Sequence, residues 1–214
     1  MKLYSAALSP FTAKVRIALY EKEIPFEKVT LPWTPATGVT GKPPEMLAIN
    51  PKAQVPTMID GDIKLYDSTV ILEYLEERYP KPPLYPSSIA DRVLCRLIED
   101  AGDTILADAA GRLAAELFAK TDPATRDPAE IEKATGVLRR AYVVLDQDVA
   151  SRPYLCGNFC VADISCFIPI NIASLLGVAP ENKNLVGWFT RMRERPSVQR
   201  DLNEMNEALG ALTR

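Results

Sequence analysis

The sequence predicts an α/β first domain followed by an all-α second domain. Three observations carry that expectation. Strand and helix signals alternate up to Tyr79; four prolines (Pro80, Pro82, Pro83 and Pro86) then fall close together; and the apolar residues beyond them recur with helical spacing. Proline at that density stops helix and sheet alike, so the boundary is placed there: a first domain over 1–79, a linker over 80–88 and a helical domain over 89–214.

Lys2 to Ser5 reads as a short strand. Pro10 to Lys22 reads as a helix, with Phe11, Val15, Ala18 and Leu19 near the 3.6 period. Phe26 to Leu31 is a second strand. Pro32, Pro35, Pro43 and Pro44 break the next stretch, leaving room only for one or two helical turns over 44–48. Pro56 to Ile59 and Ile63 to Tyr66 flank Asp60-Gly61-Asp62, and an Asp-Gly turn between apolar runs marks a hairpin. Ser68 to Tyr79 is an amphipathic helix with Val70, Ile71, Tyr74 and Leu75 on one face. Beyond the linker the expected helices are 89–119, 128–150, 161–176, 183–194 and 197–210.

Composition narrows the chemistry. The chain has 214 residues, 47% hydrophobic and 25% charged, with a net charge of −3, which describes a globular protein without the basic surface expected of a nucleic-acid binder. Histidine is absent, which excludes a Ser-His-Asp hydrolase in its usual form and removes the commonest zinc ligand. The four cysteines, Cys95, Cys156, Cys160 and Cys166, form no C-x-x-C pair and read as small buried thiols, so no metal site is expected. Met1 to Ser5 lacks the apolar run of a signal peptide, and no stretch reaches ~20 apolar residues. The expected setting is the reducing cytoplasm, away from membranes.

Three local features point to a site. Ser9-Pro10-Phe11-Thr12 makes Ser9 the N-cap of the first helix, with Pro10 at the position that needs no N–H partner. A hydroxyl there sits at the positive end of the helix dipole, among N–H groups that suit an anion. Gln54-Val55-Pro56 sets a proline at a strand start, where a cis bond is expected and would turn the Val55 backbone toward an extended ligand. Asp67-Ser68 opens the next helix, offering acceptors for an ammonium and helix N–H groups for a carboxylate. Singly, each is also an ordinary cap or turn.

Together they resemble the glutathione transferase pattern along the whole chain. Asn50-Pro51-Lys52-Ala53-Gln54-Val55-Pro56 is similar to the family's N-P-x-x-x-V-P segment, and Asp67-Ser68-Thr69-Val70-Ile71-Leu72-Glu73-Tyr74-Leu75 to its E/D-S-x-x-I-x-x-Y-L segment. Gly157 to Asp163 resembles the G-x-x-S/T-x-A-D box of its helical domain, with Cys160 in place of Ser or Thr. Trp188-Phe189 and Arg195-Pro196-Ser197-Val198 resemble its C-terminal helices. The resemblance implies an α/β thioredoxin-like N-terminal domain plus an all-α C-terminal helical domain, with glutathione as co-substrate and a homodimer as the working form.

It also implies residue roles. Val55, before Pro56, would pair main chain to main chain with the cysteinyl part of glutathione. Asp67 and Ser68 would hold the γ-glutamyl end, and Gln54 and Lys42 the glycyl carboxylate. Ser9 would donate to the thiolate sulfur, with Thr12 and Tyr4 as alternatives. Thiol-transfer members have Cys-Pro-Phe where this chain has Ser9-Pro10-Phe11, and serine cannot form a mixed disulfide. Of the zeta-class Ser-Ser-Cys segment only the first serine stands here. The implied activity is addition of the glutathione thiolate to small hydrophobic electrophiles. The alternatives are a non-catalytic binding or regulatory relative, or glutathione-dependent dehalogenation, ether cleavage or isomerisation.

Overall fold

The structure, a computed structural model, describes residues 1–35 and 37–212. The chain forms two compact units, one of residues 1–83 with 196 onward, the other of residues 84–195.

The first unit is built on a four-stranded sheet of β1 (Lys2–Ser5), β2 (Glu27–Thr30), β5 (Thr57–Asp60) and β6 (Ile63–Tyr66), in the order β2-β1-β5-β6. β1 runs parallel to β2 and antiparallel to β5, and β5 and β6 are antiparallel across the predicted Asp-Gly turn. Gly61 takes φ +59 there, a conformation glycine adopts without strain. Adjacent residues on a strand face opposite sides, and Leu3 and Tyr4 are both buried, so the sheet is covered on both faces. Tyr4 lies in an apolar cluster with Ala6, Leu31, Val55 and Met46 of α2 (Pro44–Ile49). Elsewhere α1 (Pro10–Glu21) and α3 (Ser68–Arg78) pack together, with Ile17, Leu19, Ile71, Leu72 and Leu75 buried. The proline-broken stretch holds a small antiparallel ladder, β3 (Trp33–Thr34) with β4 (Gly38–Val39), which strand periodicity in the sequence is too short to reveal.

The last helix, α9 (Pro196–Leu212), groups with this unit, whereas the sequence places 197–210 in the helical domain. The reason is a buried ion pair. Arg16, wholly buried on α1, donates to Asp201 of α9 at 2.6 Å. The same guanidinium donates to Ser5 Oγ at 2.9 Å, Ala6 O at 3.1 Å and Ala7 O at 3.2 Å. It therefore fixes the β1–α1 loop to the C-terminal helix. Removing one member of such a pair costs about 3–5 kcal/mol, because it strands a buried charge.

The second unit is helical. One path over 89–119 comprises α4 (Ile89–Ala101), α5 (Ala107–Ala114) and two wider π-helical turns at Gly102–Leu106 and Ala115–Ala119. It is followed by α6 (Pro128–Asp148), α7 (Val161–Leu175) and α8 (Lys183–Glu194). Apart from Ile172, every residue of α7 from Val161 to Ala173 is buried, which makes it the central helix. Gly102 lets α7 approach: a Cβ there would stand 2.9 Å from the Ser165 backbone. Among the described residues no helix is long and apolar enough to cross a membrane.

Candidate functional site

Sheet register decides which loops meet. Tyr4 on β1 pairs with Thr57 on β5, and Thr57 pairs with Tyr66 on β6. The exit of β1, the entrance of β5 and the exit of β6 thus lie at one end of the sheet. Neighbouring strands stand about 4.8 Å apart, so these three points span about 10 Å. Ser9 follows the first, Gln54-Val55-Pro56 leads into the second, and Asp67-Ser68 follows the third.

Ser9 is the N-cap of α1, half-buried, with Pro10 first in the helix. Its Oγ accepts from Thr12 N at 3.3 Å, which leaves its O–H to donate elsewhere. Thr12 is fully buried and its Oγ1 has no hydrogen-bond partner. Tyr4 is also buried, its hydroxyl donating to Glu45, and burial first, then that bond, raises its phenol above the usual range. Of the three candidates for the sulfur contact, Ser9 alone has both exposure and an unspent proton.

The Val55–Pro56 bond is cis, as the sequence predicts. Val55 lies two residues ahead of the first paired position on β5, and its side chain joins the Tyr4 cluster. Buried Asn50 braces the approach: its Nδ2 donates to Gln54 O at 2.7 Å and to Thr57 Oγ1 at 3.2 Å, and its Oδ1 accepts from Lys52 N at 2.9 Å. Thr57 Oγ1 donates to Gln54 O at 3.1 Å. The Gln54 side chain is exposed, while Lys42 is half-buried in the segment before α2.

Asp67 is the N-cap of α3, its Oδ1 accepting from Thr69 N at 3.1 Å. Its backbone takes φ 78 and ψ 127, a region that disfavours a residue with a Cβ and costs about 1–3 kcal/mol. Its side chain is 45% exposed, with the Lys52 ammonium 3.9 Å away. Ser68 follows, buried, as the first residue of α3. Lys14, on α1, donates to Thr69 Oγ1 at 3.4 Å and so links the helices that follow Ser9 and Asp67. Asn50, Lys52, Lys14 and Arg16 escape the sequence reading. Polar residues within otherwise apolar helix or loop patterns are the available signal; the partners of Lys14 and Arg16, Thr69 and Asp201, lie too far away in sequence to name.

The chain is similar to known proteins in sequence and in fold. Residues 3–83 match the family described as glutathione S-transferase, N-terminal domain. A glutathione S-transferase 1 of Dianthus caryophyllus is 40% identical over 94 residues, 44% of this chain and 41% of that protein; the match thus spans under half that relative's length. A stringent starvation protein A homolog of Haemophilus ducreyi is 30% identical over 171 residues, 78% of this chain and 71% of that protein. Among solved structures, the theta class glutathione S-transferase of Xanthomonas axonopodis pv. citri, with glutathione bound, superposes with a TM-score of 0.80 at 28% identity, covering 94% of this chain and 95% of that one. The sheet and helices of the first unit are thioredoxin-like, as in those relatives, and the chain belongs to the glutathione S-transferase superfamily.

Proposed function

We propose that this chain binds glutathione across the sheet end formed by Ser9, Gln54-Val55-Pro56 and Asp67-Ser68, and activates its thiol for addition to small hydrophobic electrophiles. The observation that supports the reading is the strand register, which sets the strand ends that lead to or from these three segments within about 10 Å of one another. The Val55 main chain would pair with the cysteinyl residue. Asp67, with Ser68 and the α3 N-terminus, would take the ammonium and carboxylate of the γ-glutamyl end. Gln54 and Lys42 would meet the glycyl carboxylate.

The chemical demand is modest. A free thiol has a pKa near ~8.5 and the thiolate is the nucleophile. Lowering that value by about 2 units takes about 2.7 kcal/mol of anion stabilisation. The Ser9 O–H and the N-terminal N–H groups of α1 are suited to supply it. The residue boundaries 1–79, 80–88 and 89–214 as functional domains, and a cytoplasmic location, belong to the same proposal. So does a homodimer, supported by Ile89, Val93 and Leu97, exposed at four-residue spacing on α4.

A second reading is a member that binds glutathione without turning it over; similarity to a stringent starvation protein A homolog, a name that is not a transferase's, favours keeping it in view. One experiment separates the two. The purified chain is tested for retention on immobilised glutathione and then assayed with glutathione and a panel of electrophiles. Retention with turnover is expected; retention without turnover selects the second reading, and failure of retention overturns both.

A further inference from the structure

The second unit contains a side-chain cluster that the glutathione reading leaves unused. Cys95 on α4, Cys156 in the turn before α7 and Cys160 at the α7 N-cap bring their three Sγ atoms within 4.8 Å of one another. Cys95 Sγ and Cys160 Sγ are 3.5 Å apart. Three thiolates on one zinc-type ion, each about 2.3 Å from the metal, stand about 3.8 Å apart. Side-chain shifts under about 1 Å would bring the cluster to that spacing.

The surroundings fit a cation bound from one side. Cys95 and Cys160 are buried, whereas Cys156 is half-buried and forms the mouth. A tight turn holds that mouth in place, with bridges Tyr154–Gly157 and Cys156–Asn158 and Gly157 at φ +89. Cys160 is the N-cap of fifteen-residue α7, so its sulfur lies at the positive end of that helix. Asp163 Oδ2 lies 3.4 Å from Cys160 Sγ. Its oxygens are already committed to Leu155 N, Cys160 N and Trp188 Nε1, which makes it an outer neighbour rather than a ligand. Of the other charges acting on Cys156, Arg152 is positive and Asp91 and Asp148 are negative.

We propose that Cys95, Cys156 and Cys160 bind one divalent zinc-type cation through three thiolates, its fourth position open to solvent beside Cys156. Sulfur ligands favour such a soft, d10 ion. Three thiol protons leave to solvent on binding and no electron is transferred. A divalent ion leaves the buried group with a single negative charge, opposite Arg152. A monovalent ion would leave two, with Asp163 adjacent.

The test uses the full chain, reduced with a phosphine, stripped with a chelator and kept free of air. Cd2+ is titrated in while the sulfur-to-cadmium charge-transfer absorbance is followed, and Zn2+ affinity is read by competition with a chromophoric chelator. One ion per chain is expected, with absorbance appropriate to three thiolates. Cys156→Ser, at the accessible position, should weaken Zn2+ binding about 100-fold or more, since even outer-shell changes cost about 10- to 100-fold. Cys166→Ser, outside the cluster, should bind as the parent does, and both variants should keep their glutathione retention and circular dichroism. The proposal is overturned by the absence of a stoichiometric band, or by equal affinity in Cys156→Ser. It is also overturned if the reduced chain ignores both metals while oxidised glutathione converts two of the three thiols to a disulfide, which would make the cluster a redox pair.

Discussion

At the N-terminus of α1 the capping group is Ser9, half-buried, whose oxygen takes one hydrogen bond, from Thr12 N at 3.3 Å. At the N-terminus of α7 the carboxylate of Asp163 is fully buried and takes three from nitrogen: Leu155 N at 2.9 Å, Cys160 N at 3.0 Å and Trp188 Nε1 at 2.8 Å. Both answer the same need, the unpaired N–H groups of a helix start and its surroundings. They differ in what is left over. Ser9 keeps a proton and an open side; Asp163 has spent its acceptors on its own unit. A cap with unspent capacity can serve a ligand, and a saturated one can serve only the fold.

The largest expected effect breaks the saturated cap. Asp163→Ala strands three buried donors at about 1–3 kcal/mol each, so stability should fall by at least about 3 kcal/mol and the Tm by roughly 6–12 °C. The pH dependence sharpens the point. Burial pushes the Asp163 carboxyl up to about 6 from its ordinary 3.8, so the folded chain holds a proton more readily than the unfolded one. Stability from this group therefore rises as pH falls from about 6 toward 3.8, and is least above 6. The stability difference between the parent and Asp163→Asn should widen in the parent's favour through that window. A difference that stays flat with pH would show that burial does not govern this carboxyl.

The open cap should behave oppositely. Ser9→Ala should lower the conjugation rate at neutral pH by about 10- to 150-fold, the worth of one donor to an anion at about 1.5–3 kcal/mol. Glutathione affinity should change far less, because Val55, Asp67 and Ser68 would carry recognition. Thr12→Val, which replaces a buried hydroxyl that has no partner, should leave the rate alone. If Thr12→Val carries the kinetic defect and Ser9→Ala only loosens the helix, the assignment of Ser9 is wrong.

Asp67 tests the comparison at a third cap, where the backbone is strained. Glycine tolerates φ 78 and caps a helix almost as well as Asp, so Asp67→Gly should relieve about 1–3 kcal/mol of strain and lose about 0.5–1 kcal/mol to unfolded-state entropy. A net gain of about 1 kcal/mol in denaturation is expected, together with weaker glutathione binding by calorimetry. Stability and affinity falling together would mean that the conformation is simply what the fold requires.

Much of this was legible in the sequence because local chemistry sets it. The Asp60-Gly61 turn, the Ser9-Pro10 cap and the cis bond before Pro56 each depend on adjacent residues, and the structure has all three. What escaped depends on distance. Arg16 reads as one of three charges on α1 until Asp201, 185 residues on, explains why α9 joins the first unit. Cys95 and Cys160 are 65 residues apart, so no spacing rule could pair them. Asp67 hides its positive φ because that conformation is usually signalled by glycine.

The smallest effect separates fold from proposed metal at one atom. Cys160 occupies the N-cap of α7 with extended backbone, φ −151, and a sulfur there is a poorer acceptor than a hydroxyl. Cys160→Ser keeps the geometry and offers an oxygen that can accept from Asp163 N or donate to Asp163 Oδ2, the atom that now lies 3.4 Å from the sulfur. In chelator the variant should gain about 0.5–1 kcal/mol in denaturation. An unchanged or lower midpoint would show that burying the larger thiol beside Cys95 matters more than the cap. Zinc should reverse the sign. At 100 times its Kd the ion would stabilise the parent by about 2.7 kcal/mol, which the serine variant would largely forgo. The parent should then be the more stable chain. A variant that keeps its advantage in zinc would leave Cys160 as a cap and nothing more.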